Sequence, residues 1–253
     1  MGINGLLPLL KSVTEKVHLE SMRGQCVAVD AYSWLHKGVF TCAVDLYHNP
    51  EGTNGHIEYC VARVKQLLHH GIRPIIVFDG APLPSKASKE VERAESRKMA
   101  REKAEGLLKG GKVSEAASAI SRSIDVTPRM AHQFITELRR MRVEYVVAPY
   151  EADAQMAWLS MNDIVDAVIC EDSDLLVFGA KRVLFKLDRY GIAEEIKLNR
   201  VTETTELDMS RFSFRMFRQM CILSGCDYLP SIPGMGIKTA HRYLLRYIKS
   251  VYW

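Results

Sequence analysis

Four short apolar runs, each followed within a few residues by a carboxylate, constrain this chain more than any other feature. Gln25-Cys-Val-Ala-Val ends at Asp30, and Pro74-Ile-Ile-Val-Phe ends at Asp79. Tyr145–Ala148 precedes Glu151 and Asp153, and Ala167–Cys170 leads into Glu171-Asp172-Ser173-Asp174. Continuous apolar runs of this length read as buried strands. Amphipathic stretches lie between them. A helix with Trp34 and Leu35 follows the first. His56–Gly71 carries Ile57, Val61, Val64 and Leu68 on one face, with Gly71 as its C-cap. Glu151–Met161 carries Ala152, Met156 and Leu159. Such alternation predicts an α/β fold: a mostly parallel central sheet with helices on both faces. In such folds ligands bind beyond the carboxyl ends of the strands. Asp30, Asp79, Glu151, Asp153, Asp172 and Asp174 are therefore expected at one edge. In extended chain Asp172 and Asp174 also point the same way.

Carboxylates gathered in this manner repel, so a cation must offset them or some must be protonated. Hard oxygen donors suit Mg2+ or Mn2+. Any one of these acids could instead be a helix-terminal charge or a solvated loop residue. Their recurrence after strand upon strand favours the metal site. Asp227, after the helical pattern of Phe212–Leu223, is a seventh acid. The six cysteines form no C-x-x-C pair, which points to reduced thiols in an intracellular protein, without zinc or disulfides. No apolar run approaches the roughly 20 residues of a membrane span, and no membrane association is expected. The start lacks secretory and myristoylation signals.

The chain's net charge of +4 is concentrated. Nine Lys or Arg against five Glu between Lys86 and Lys112 account for all of it. Lys86–Lys109 reads as a helix with Lys86, Arg93 and Arg97 along one stripe. A helix this polar is ordinarily a solvated face, but its place directly after Asp79 favours handling of phosphate. Ser114–Ile124 reads as a second helix, and Thr127-Pro128 as the N-cap and first residue of a third. Val183–Leu187 reads as a strand, while Ala193–Asp208 has no clear pattern. Gly234-Met-Gly236-Ile-Lys238 is a glycine turn opening a helix whose Lys238, Arg242, Arg246 and Lys249 form a basic stripe. Backbone N–H groups and cations so arranged suit a nucleic-acid backbone.

The segments MGINGLLPLL, VDAYSWLHKG, VFDG, APYEADAQ, EDSDLL and LSGCDYLPSIPGMGIKTA, in that order, resemble the flap endonuclease superfamily of structure-specific 5′ nucleases over essentially the whole chain. The resemblance implies a single nuclease domain over 1–253. Its parts would be an N-terminal portion (1–85), a helical arch or gateway (86–130), an internal portion (131–224) and a helix–two-turn–helix (225–253). It implies two Mg2+ (or Mn2+) on Asp30, Asp79, Glu151, Asp153, Asp172, Asp174 and Asp227, hydrolysing a phosphodiester by a two-metal route. Lys86 and Arg93 match the basic pair at the scissile phosphate, with Lys89 an alternative to Lys86. Tyr32 and His36 match positions near unpaired nucleotides, or are ordinary helix-packing residues. K+ would sit on the carbonyls of Ser224, Ser231 and Met235, in a loop whose geometry Pro230 and Pro233 alter. Lys89, Arg97, Gly234, Gly236, Lys238 and Arg242 would contact DNA.

The implied activity is a Mg2+-dependent 5′→3′ exonuclease on duplex DNA with 5′-flap endonuclease activity. Its substrates would carry a nick, gap, recessed 5′ end or 5′ flap. The implied setting is DNA repair and recombination, mismatch repair included, in the nucleus, by a monomer. The sequence stops at Trp253 inside a helical pattern, so a further C-terminal tail that meets repair proteins is expected. The alternatives are a flap endonuclease acting mainly on 5′ flaps, a non-catalytic DNA-binding protein, and a phosphomonoesterase with an aspartate nucleophile. Against the last, EDSDLL lacks the D-x-D-G-T pattern.

Overall fold

A computed structural model describes residues 2–50 and 52–251. Met1, Glu51, Tyr252 and Trp253 lie outside the described residues, as do the side chains of 248–251, including that of Lys249. In chain order the elements are α1 (Leu6–Leu9), β1 (Glu15–His18), β2 (Cys26–Asp30), α2 (Ala31–Thr41), α3 (Ala43–His48), α4 (Gly55–His69) and β3 (Arg73–Phe78). Then come α5 (Ala87–Lys109), α6 (Val113–Ser123), α7 (Pro128–Met141), β4 (Glu144–Val147), α8 (Ala152–Met161) and β5 (Ala167–Ile169). The chain closes with α9 (Asp174–Phe178), β6 (Arg182–Phe185), β7 (Ile192–Lys197), α10 (Phe214–Ser224) and α11 (Ile237–Val251). The expected α/β class with mostly parallel strand pairing and many helices is observed.

The chain forms two compact units. One comprises Met1–Val29, His70–Arg73 and Asp153–Trp253; the other comprises Asp30–His69 and Pro74–Ala152. In the first, β2 pairs parallel with β5 and β5 with β6, through Val27↔Ala167 and Val168↔Val183. Two antiparallel strands extend this: β6 pairs with β7, and β7 with β1. The stretch without a clear pattern thus contains β7. Its Glu194, Glu195 and Lys197 conceal it from hydropathy, because ion pairs satisfy them. Lys186 Nζ lies 2.8 Å from Glu194, and Arg182 pairs with the buried Glu195.

In the second unit β3 and β4 run parallel, with Phe78 opposite Val147. Tyr145–Ala148 is expected to be a buried strand, but β4 is largely open: Glu144 and Val147 are exposed and Tyr145 is half-buried. Its pairing is with β3, and polar contacts replace burial, with Arg139 donating to the Tyr145 hydroxyl at 2.9 and 2.7 Å. Behind β3 sits Phe134 of α7, fully buried, its ring 5.6 Å from that of Phe78. The Thr127 hydroxyl caps α7 by accepting from the Met130 N–H, with Pro128 at the first position as expected. The charged α5 forms over the expected span and buries one residue, Ala104. That residue packs with Ala116, Ala119 and Ile120 of α6 against Ala43 of α3. Only the second half of α5 is thereby tied down, leaving its basic first half on the surface.

Phe134→Ala removes the largest side chain behind β3 and is expected to cost about 3–5 kcal/mol of stability. Denaturant unfolding checks this; a loss below about 1 kcal/mol would contradict the assignment of Phe134 as core.

Candidate metal centre and nucleic-acid interface

In the second unit, the loops leaving β3 and β4 are fastened together by backbone. Gly80 N–H donates to Tyr150 O at 2.6 Å and Ala81 N–H to Pro149 O at 3.0 Å. The approach is so close that a Cβ on Gly80 would stand 1.9 Å from the carbonyl oxygen of Ala148. Glycine is the residue that permits it. The consequence is that Asp79 and Glu151 face one another's surroundings. Asp79 Oδ1 accepts from Ala152 N–H at 2.7 Å. Burial, above all, pushes the Asp79 carboxyl up; Glu151 and Glu90 push the same way, while the Ala152 N–H and Lys86 oppose them. Lys86 Nζ lies 2.5 Å from Glu151, both side chains mostly sheltered.

Lys86 does not belong to α5. It closes a 3-10 turn, Pro84–Lys86, and stands at the N-cap of the helix. Helical spacing from Arg93, expected from the sequence, is therefore not what positions it; Pro84 starts a tighter turn first. Lys89 pairs with Glu92 at 3.0 Å on the surface, Arg93 with Glu90 at 2.7 Å, and Arg97 with Asp125 at 3.1 Å. Asp30 caps α2, accepting from the Tyr32 and Ser33 N–H groups at 2.9 and 3.2 Å. Tyr32 and His36 are half-buried in the same electrostatic neighbourhood. Burial raises the Tyr32 hydroxyl, reinforced by Asp79, Asp125 and Asp30. Burial lowers the His36 imidazole, helped by Arg93 and Arg97 and opposed by Asp125 and Asp79.

In the first unit, Asp153 lies in the first turn of α8, and the Cys170 thiol approaches its Oδ1 at 3.9 Å. Asp172 N–H donates to Cys170 Sγ at 3.3 Å, and Asp174 N–H donates to Asp172 Oδ1 at 2.9 Å. Asp172 and Asp174 thus do not share a face of extended chain. The chain turns at Ser173 and begins α9 at Asp174, because the Asp172 carboxylate captures the N–H group two residues on. Asp174 is buried and Asp172 half-buried. Asp227 is half-buried in the turn closed by the Cys226↔Leu229 bridge, and Cys226 and Asp174 line one cavity of about 300 Å3.

Ser224 ends α10, with its hydroxyl donating to Cys221 O at 2.8 Å. A Cβ on Gly225 would lie 3.2 Å from Ser231 Oγ, so the chain just after Ser224 closely approaches Ser231. Met235 follows in a turn, its N–H donating to Ile232 O at 3.1 Å. Gly234 has φ 74°, and nothing stands within 4 Å of where a Cβ would lie on Gly234 or Gly236. On α11, Ile237, Ala240, His241 and Leu244 are buried while Lys238, Arg242 and Arg246 are exposed. Gly2, Gly80, Asp125 and Ser173 also belong to these surroundings and were not legible as site residues; each acts through a contact remote in sequence.

The donor set suits a hard divalent cation. It is built of carboxylate oxygens, Asp79 is held against its preference to ionise, and Lys86 is the cation on Glu151. A folded-state carboxyl raised above its unfolded value binds its proton more tightly in the fold. Stability contributed by Asp79 is therefore lost as pH rises from the ordinary carboxylate range to that raised value. Asp79→Asn is expected to raise the thermal midpoint at pH 8 in chelator. Mn2+ at 100 times its Kd is expected to stabilise the wild-type chain by about 2.7 kcal/mol, and the variant less. Differential scanning calorimetry checks both; a variant that melts lower in chelator, with the full Mn2+ gain, would contradict the crowding.

Residues 1–100 match the XPG N-terminal domain and residues 142–227 the XPG I-region. Exonuclease 1 of Oryza sativa subsp. japonica is 50% identical over 241 residues, which are 95% of this chain and 29% of that protein. The chain spans about a third of the length of such curated relatives. Among solved structures, flap endonuclease-1 from Methanococcus jannaschii shares 26% identity with a TM-score of 0.66, over 94% of this chain and 76% of that one. The catalytic core of Rad2 in complex with DNA substrate has a TM-score of 0.73 at 24% identity, over 97% of this chain and 69% of that one, a likeness of fold.

Proposed function

Because the chain belongs to the XPG family within the flap endonuclease superfamily, we propose that it is a Mg2+-dependent 5′→3′ exonuclease on duplex DNA that also cuts 5′ flaps. The observation that supports this reading is Lys86 set against Glu151 beside Asp79: a sheltered cation standing at carboxylates that follow parallel strands. Asp30, Asp79, Glu151, Asp153, Asp172, Asp174 and Asp227 would hold two Mg2+ or Mn2+. Bound there, the ions supply a water acidified to hydroxide and offset charge on the leaving oxygen.

The chain's own residues do the rest. Lys86 exchanges Glu151 for the scissile phosphate and, with Arg93, neutralises charge that grows in the transition state. Tyr32 offers a ring to an unpaired base, and His36, with its pKa lowered, is neutral at pH 7 and adds no charge there. The exposed Lys238 and Arg242, the glycine turn and a K+ on the carbonyls of Ser224, Ser231 and Met235 hold duplex backbone without reading bases. Lys89 and Arg97 contact the strand near the gateway. Specificity then comes from the shape of a nick, gap, recessed end or flap. A monomer acting in DNA repair in the nucleus is the setting this chemistry fits.

Cleavage of end-labelled blunt, recessed and 5′-flapped duplexes tests the reading, with Mg2+, Ca2+ and chelator compared. Predominant cutting of flaps would favour a flap endonuclease, and none of any substrate would leave a DNA-binding protein. Asp172→Ala is expected to abolish cleavage while DNA affinity in Ca2+ stays within about threefold, since phosphate contacts by α11 dominate binding. Turnover by that variant would remove Asp172 from the centre. Lys86→Ala is expected to slow single-turnover cleavage by about 10²–10³-fold, the scale of one lost electrostatic donor. Lys89→Ala, whose partner is Glu92 on the surface, is expected to slow it far less than Lys86→Ala, and the reverse ranking would reassign the lysine.

A further inference from the structure

The N-terminal segment is built onto the Asp172–Asp174 turn. Gly2 has φ 93°, a left-handed backbone that disfavours any side chain. A Cβ placed on it would meet Ser173 Oγ at 2.4 Å, Asp172 Oδ1 at 2.5 Å and Ser173 N at 2.8 Å. The next residue makes the complementary contact: Ile3 N–H donates to Ser173 Oγ at 2.9 Å, and Ser173 is 2% exposed. Ile3 also lines the cavity beside Asp174. This segment is anchored from behind, since Leu6 N–H donates to Ile3 O at 3.1 Å, and Leu6, Leu9 and Leu10 are buried. Across 170 residues of sequence, the start of the chain therefore touches the side chain and backbone of the turn that carries two of the seven acids.

We infer that Gly2 and Ser173 are positioning residues, a splint that fixes the carboxylates of Asp172 and Asp174 in the geometry that receives a divalent ion. This rests on the reading that those two aspartates are metal ligands. The splint works by close approach on one side and a hydrogen bond on the other. Gly2 leaves the Asp172 carboxylate no room to swing toward the N-terminal segment. Ser173, locked to Ile3, sets the turn whose Asp174 N–H holds Asp172 Oδ1. A methyl group on Gly2 must displace either the N-terminal segment or the turn, Ser173 and the Asp172 carboxylate together.

The test is titration of Mn2+ alone into wild-type, Gly2→Ala, Ser173→Ala and Asp172→Ala proteins by calorimetry, without DNA. Thermal midpoints in chelator and the Mg2+ dependence of single-turnover cleavage are measured alongside. Outer partners of metal ligands typically set affinity by 10–100-fold, so Gly2→Ala and Ser173→Ala are each expected to weaken Mn2+ binding by about tenfold or more. The Mg2+ concentration at half-maximal rate should rise by a similar factor, with saturating Mg2+ restoring much of the rate. A segment that only braced the fold would instead lower the thermal midpoint and leave Mn2+ affinity in place, and that result overturns the splint. So does wild-type Mn2+ affinity in both variants. Wild-type protein that binds no Mn2+, or Asp172→Ala that binds it undiminished, overturns the ligand reading itself, a failure separate from the first.

Discussion

Keeping carboxylates in place at strand ends is the constraint on which each unit depends, and in the second unit burial first, then the neighbouring Glu151, presses on Asp79. An isolated aspartate at a strand end is solvated at little cost. A partly buried one is not, and it needs a local donor to stay in place. The chain supplies these donors mostly from its own backbone. Asp30 takes the N–H groups at the start of α2, Asp79 that of Ala152, and Asp172 that of Asp174. Glu151 takes Lys86 instead. Backbone donors fix an oxygen's position without themselves carrying a charge.

α5 is too polar to be core; Ala104 packs it against α6 and Ala43 of α3, while its first half stays on the surface with Arg93 and Arg97 held by Glu90 and Asp125. Exposed ion pairs of this type are worth little. Lys86 differs because it is sheltered and stands on an acid of the set. In α11 the division is made by burial. His241 Nε2–H donates to Asp208 O on the packed side, while Lys238 and Arg242 remain exposed on the other.

Much of this was legible from residue order. The runs ending at Asp30 and Asp79 are β2 and β3, the charged stretch is α5, and Thr127-Pro128 opens α7 where capping chemistry requires. Hydropathy failed where charge is satisfied by a partner strand. β7 contains two glutamates and a lysine, and the pairing of Arg182 with Glu195 is what allows a glutamate to be buried there. Period-two reasoning failed at Asp172 and Asp174 because a side chain competed with the backbone for an N–H. It also failed to foresee the openness of β4, which depends on what lies beside the strand.

Sequence alone determined the residue types, the strand–helix alternation and the acids that follow the strands, since these depend on local pattern and on chemistry carried by single side chains. Tertiary structure decided which lysine meets an acid, how Asp172 and Asp174 are turned, and why Gly2 and Gly80 are glycine. Those outcomes depend on atoms brought within about 3 Å of each other by segments far apart in the chain, and a one-dimensional pattern holds no record of such approaches.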